Sequence, residues 1–183
     1  TKGSHDSDNA SDSGGRMRDM RENALPALES FGVDLVLNGH SHSYERSFLV
    51  DGHYGLSGTL TPAMLKDAGD GRPGGGGAYR KSAGNPLPHE GEVVAVAGSS
   101  AQVSGGTLDH PVMARSLNVL GSMVIDVRGN ELDAVFLDDV GAVRDSFVIV
   151  KGGVVVDARP APGTALGLAI RAVELREAWR EDG

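Results

Sequence analysis

The chain has 183 residues, and 17 Lys plus Arg against 25 Asp plus Glu leave a formal charge of −8, a balance that disfavours nucleic acid as a partner. With no cysteine there is no disulfide framework, zinc knuckle or thiol nucleophile. No run approaches the ~18 to 20 uninterrupted apolar residues that cross a bilayer, and residues 1–12 are polar and acidic rather than a signal peptide, so no membrane partner is expected.

At this length one domain is the default, with roughly 70% of the unfolded chain's surface available for burial. Glycine is abundant, at 27 residues, and aromatic residues make up only 4%. That composition predicts many turns and a core thin in aromatic side chains.

In chain order, residues 16–31 form the first amphipathic run. Met17, Met20, Ala24, Leu28 and Phe31 recur at helical spacing with charged residues between them, which predicts a surface helix packed on a sheet. Pro26 should kink or restart that helix, because it lacks an N–H and crowds the carbonyl four residues back. Gly32 should close it. Residues 33–37 are mostly apolar and bounded by glycines, the profile of a buried strand. Helix, tight turn, buried strand and polar loop predict an α/β fold.

Periodicity is lost over residues 55–91, and the glycine-rich tract 69–77 predicts a long mobile loop or a lid. Strands are expected at 92–97, 117–127, 131–137, 143–150 and 154–158 from their Val, Ile and Phe content. The turn residues 128–130 and 138–142 between them predict antiparallel hairpins. Residues 166–181 have a helical pattern with a wide apolar face, which should dock on the body or on a partner.

Asn38-Gly39-His40-Ser41-His42-Ser43-Tyr44-Glu45-Arg46 directly follows the first strand. In an extended backbone, a period of two places His40 and His42 on one side, where both rings can reach a common metal centre, and Gly39 would allow a sharp turn. The carboxyl end of a strand is also where open α/β sheets place their sites. His-x-His pairs occur in amidohydrolases, but this chain is too short and too antiparallel for that barrel. Metallo-β-lactamase-like enzymes continue the pair with Asp and His, whereas Ser43 and Tyr44 follow here. His53, His89 and His110 belong to no motif and are expected at the surface or in loops.

The segment from Gly39 through Ser47, with its Tyr-Glu-Arg continuation, resembles the last metal-binding motif of calcineurin-like metallophosphoesterases, in the purple acid phosphatase branch. The flanks agree: residues 31–37 resemble that family's helix-to-strand entry and residues 141–147 its closing hairpin. The resemblance covers most of residues 1–151 apart from the glycine-rich insertion. It implies the C-terminal half of a four-layer α-β-β-α sandwich, with a mixed sheet and antiparallel hairpins. Residues 1–158 would be the C-terminal part of the metallophosphoesterase domain, with 55–91 as the inserted loop, and 159–183 a C-terminal linker and helix.

The function implied is that of a metal-dependent phosphoric monoester hydrolase. In that family two metal ions about 3.5 to 4 Å apart clamp a phosphate ester for in-line attack by a metal-bound hydroxide. By resemblance, His40 and His42 would each bind one of two divalent or trivalent ions (Fe, Zn or Mn), with Tyr44, Glu45 and Arg46 supporting the loop. His5, in a segment resembling the family's substrate loop, would be the general acid, its imidazole suited by an ordinary pKa of about 6.5.

The family's earlier motifs, which hold most metal ligands, are not found in this sequence. The chain alone is therefore expected to be inactive, to pair with a missing N-terminal half, and to be able to associate through exposed edges. Two other readings are a calcineurin-like phosphodiesterase and a non-catalytic truncated interaction module. A secreted or cell-envelope location is expected from the resemblance.

Overall fold

The computed structural model describes residues 1–82 and 85–152. The strand expected at 154–158 and the C-terminal linker and helix lie outside the described residues. The helical segment runs as α1 (Arg16–Asp19), a π turn (Met20–Ala24) and α2 (Leu25–Ser30). The wide turn falls just ahead of Pro26, whose missing N–H costs nothing in the first turn of α2. Proline thus restarts the helix, as expected. Gly32 follows with φ of 69°, and a Cβ there would lie 2.6 Å from the Leu87 carbonyl oxygen.

The strands are β1 (Leu35–Asn38), β2 (Tyr44–Ser47), β3 (Leu49–Val50), β4 (Leu65–Asp67), β5 (Tyr79–Lys81), β6 (Val93–Ala97), β7 (Met113–Leu117), β8 (Gly121–Arg128), β9 (Glu131–Asp138) and β10 (Val143–Lys151). They form two four-stranded sheets, ordered β1-β6-β2-β7 and β5-β10-β9-β8, and a β3-β4 ribbon. Both large sheets are mixed. β1 runs parallel to β6 and β5 parallel to β10, while the remaining pairs are antiparallel. The fold is α/β, as the sequence predicts, and both expected hairpins, β8-β9 and β9-β10, are present.

Two expectations give way to detail. The run read as one strand at 117–127 divides into β7 and β8, which lie in different sheets. The 55–91 segment supplies β4 and β5, and Tyr79 of β5 is fully buried. Its glycines make turns around an anchored aromatic ring.

The core lies between the large sheets and is built from Leu49, Tyr79, Val93, Ala134, Phe147 and Ile149. Full burial of a Phe or Ile side chain contributes about 1.5 to 3 kcal/mol, so this cluster holds the sheets face to face. The helical segment is not tightly seated on the first sheet. A cavity of about 460 Å³ separates Met17, Met20 and Leu25 from Val36, Val94 and Val96.

Candidate functional site

The site begins where β1 ends. Residues 39–43 do not continue as a strand: Ser41 N–H donates to the Gly39 carbonyl at 2.9 Å, and Ser43 N–H to the Ser41 carbonyl at 2.9 Å. These tight turns replace the extended backbone assumed from sequence. His40, not Gly39, takes the left-handed conformation, with φ of 70°. Such a φ is uncommon for a residue with a Cβ and marks a locally strained position.

The bend sends the two imidazoles to separate partners. His40 Nε2 lies 2.7 Å from the Ser13 hydroxyl, and the His40 ring stacks on His5 with centroids 4.1 Å apart. His42 Nδ1 lies 2.9 Å from the Ser104 hydroxyl. His40 is exposed and His42 half-buried. The structure therefore brings His5 and His40 together, while His42 turns toward the segment that precedes β7.

His5 is held by its neighbours. Its Nδ1 lies 2.7 Å from Asp12 Oδ1, and its N–H donates to Ser41 Oγ at 3.3 Å. The backbone N–H of Asp6, then the Ser13 hydroxyl and His5, hold the Asp12 carboxyl down at about 2. It is thus already an anion at mildly acidic pH. The His42 N–H donates to Ser4 Oγ at 2.8 Å, and Leu108 N–H to the Lys2 carbonyl at 3.0 Å. Gly3 permits this close approach, since a Cβ there would lie 2.2 Å from Ser43 Oγ.

The Tyr44-Glu45-Arg46 triplet alternates across β2. Glu45 accepts the Lys2 N–H at 3.0 Å, the Ser43 hydroxyl at 3.1 Å and the Thr1 hydroxyl. It therefore anchors the segment that carries His5. Tyr44 and Arg46 point the other way, into the space between the sheets. The Tyr44 hydroxyl donates to Asp145 Oδ2 at 2.8 Å, and Arg46 donates to both Asp145 oxygens, at 2.7 and 3.2 Å. The guanidinium also donates to the Tyr79 hydroxyl and lies 4.9 Å from the Phe147 ring centre. Burial, then the Asp145 charge, push the Tyr44 phenol up, so it remains a donor.

Of the residues expected at the surface or in loops, two lie in loops but are buried. His53 and His110 are each 7% exposed and meet edge to face. Burial first, then the neighbouring positive groups, depress His110 to about 3. The polar residues around them in sequence gave no sign of this; the charges of the N-terminal amino group and Asp8, far away in sequence, act on both rings. His89 is exposed, as expected.

A pair of bound cations needs more than this chain brings together at His40 and His42. Both are neutral donors, and among the described residues the only three-residue group of closely spaced metal-ligand atoms is elsewhere, at Glu29, Asp51 and His89. Asp8 is committed to Ser57 and Lys2. The donor set does not by itself fit a two-metal centre.

No family model and no curated protein matches the chain. Its fold has a distant likeness among solved structures. A solved purple acid phosphatase from yellow lupin (Lupinus luteus) seeds superposes with a TM-score of 0.52 at 16% identity, over 79% of this chain and 23% of that one. The likeness is one of fold, and this chain spans about a quarter of the phosphatase.

Proposed function

We propose that this chain contributes part of the active site of a metal-dependent phosphomonoesterase. The observation that carries the reading is the meeting of His5 and His40, remote in sequence yet stacked at 4.1 Å beside the carboxyl end of β1. His40 and His42 would each supply an imidazole nitrogen to one of two metal ions (Fe, Zn or Mn), with the remaining ligands coming from outside this set. No step through those ions follows from this chain alone.

The chain's own residues suggest a proton-transfer role. Asp12 on Nδ1 fixes the His5 ring and leaves Nε2 as the nitrogen able to protonate a departing alkoxide. Glu45 fixes the backbone that carries it. Ser41 and Ser4 tie this segment to the His40–His42 loop, so the proton donor and the metal-ligating loop move as one unit. Tyr44 and Arg46 act at a distance by locking β2 to the second sheet.

The test is hydrolysis by the longest natural protein that contains this sequence. Phosphate monoesters should be cleaved in preference to diesters, and His40→Ala and His42→Ala should each abolish metal-dependent turnover. Removing the acid with His5→Ala should lower kcat on alkyl phosphates by about 100-fold or more. It should act far less on p-nitrophenyl phosphate, whose leaving group needs no proton. Preference for diesters would favour a phosphodiesterase, and no turnover with any ester would favour a non-catalytic interaction module.

A further inference from the structure

A second constellation lies at the opposite edge of the parallel β1-β6 pair, where β6 begins. Glu29 of α2 is buried, at 4% exposure, and its carboxylate accepts the Gly52 N–H at 2.9 Å and the Tyr54 hydroxyl. Asp51, just after β3, lies 2.9 Å from His89 Nδ1 and 3.1 Å from Lys66 Nζ. One ligand atom from each of Glu29, Asp51 and His89 falls within 4.8 Å of the other two. Two carboxylates this close, one fully enclosed, repel unless a proton or a cation lies between them.

An independent observation points to a cation. Glu92 is fully buried, and neither of its carboxylate oxygens has a hydrogen-bond partner. Its backbone pairs with Val50, next to Asp51, at 2.9 and 3.0 Å, and its side chain lines the cavity that Glu29 also lines. The charges that act on it are those of Glu29, Lys81 and Asp51. Lys81 is itself committed, to Asp34 at 2.7 Å and the Gly91 carbonyl at 2.9 Å. Burial first, then the Glu29 charge, push Glu92 up to about 8, and an unpartnered buried carboxyl of this kind is relieved by that proton or by a cation that takes its place.

We propose that Glu29, Asp51 and His89 form a divalent-cation site, with the buried, unpartnered Glu92 carboxyl beside it favouring the cation. Mixed imidazole and carboxylate donors suit Zn²⁺ or Mn²⁺ over Ca²⁺ and Mg²⁺, which favour oxygen alone. The ion ties α2 to the segments after β3 and before β6. Its role is structural, and it is separate from the phosphoesterase reading.

The experiment uses the full chain carrying His40→Ala and His42→Ala, which removes the other imidazole pair. After chelator dialysis it is titrated calorimetrically with Zn²⁺ and Mn²⁺ in turn, and melting is followed by circular dichroism. One equivalent should bind, raise the melting temperature and resist a large excess of Ca²⁺ or Mg²⁺. Asp51→Asn and His89→Ala should each weaken binding by about tenfold or more. Glu92→Gln should raise the melting temperature of the metal-free chain yet weaken binding, a combination that a purely structural glutamate would not give. Failure of the folded chain to bind either ion, or affinity unchanged by Asp51→Asn and His89→Ala, would overturn the site. Displacement by Ca²⁺ or Mg²⁺ would overturn the metal class, and Glu92→Gln leaving affinity intact would overturn the role of Glu92.

Discussion

Residues 39–43 and 44–46 are adjacent in sequence and read as one motif, yet they occupy different physical worlds. In the first stretch the backbone bends twice, His40 is exposed, and the imidazoles rest on serine hydroxyls. In the second the backbone is a regular strand, and Tyr44 and Arg46 are almost wholly buried around Asp145. Weak, exchangeable partners leave the first stretch free to meet an incoming ligand. Dense, charge-assisted bonds commit the second to joining the two sheets. Residues that read as one motif can therefore be split in their physics, with an open loop on one side and a locked strand on the other.

The comparison is broken most severely at Asp145. Asp145→Ala leaves the Arg46 guanidinium buried without its counter-ion, which should cost about 3 to 5 kcal/mol. Urea unfolding would show this as a large fall in midpoint, and an unchanged midpoint would mean that Arg46 does not hold the sheets together.

The contrast between exposed and buried imidazoles predicts the next largest effect. Burial depresses His110 to about 3 from the ordinary imidazole value of 6.5, so the folded state keeps it neutral while the unfolded chain takes up a proton below pH 6.5. The unfolded state then binds more protons, and stability falls as pH drops from 6.5 toward 3. Between pH 6.5 and 5 this one group should cost about 2 kcal/mol. His110→Asn can still accept from the Val112 N–H, which His110 Nδ1 accepts at 3.2 Å, and should flatten that acid limb. Equal limbs in the two proteins would place the titrating group elsewhere.

Within the strut, Tyr44→Phe sharpens the comparison. It removes one donor to Asp145 while both Arg46 bonds remain, and should lower stability by about 1 to 2 kcal/mol. A double cycle with Asp145→Asn would show whether the tyrosine acts through that carboxylate: additive losses would deny it.

Local features of this fold were legible in the sequence. The β8-β9 hairpin is fixed by apolar runs on either side of Arg128, Gly129 and Asn130, and the helix end by Gly32, because each depends on neighbouring residues alone. Non-local pairing was not legible: β1 beside β6, and β5 added to β10, join segments whose own patterns do not name a partner. The site divides in the same way. The resemblance singled out His40, His42 and the segment of His5 as candidates, but the directions of the rings depend on Ser13 and Ser104, which carry no motif. Glu29, Asp51 and His89 come from three separate segments and were invisible as a group.

The smallest effect concerns why the loop bends at His40. A left-handed φ in a residue with a Cβ costs about 1 to 2 kcal/mol relative to glycine, offset in part by the greater freedom glycine loses on folding. His40→Ala and His40→Gly both remove the contacts to Ser13 and His5, so their difference isolates the backbone. The glycine variant should be the more stable by about 0.5 to 1 kcal/mol in urea unfolding, although both lose the imidazole. Chain stability alone would then favour glycine at this position, and the imidazole would be kept there against that preference. Equal midpoints would show instead that the loop relaxes freely, and that His40 stores no strain for the site to use.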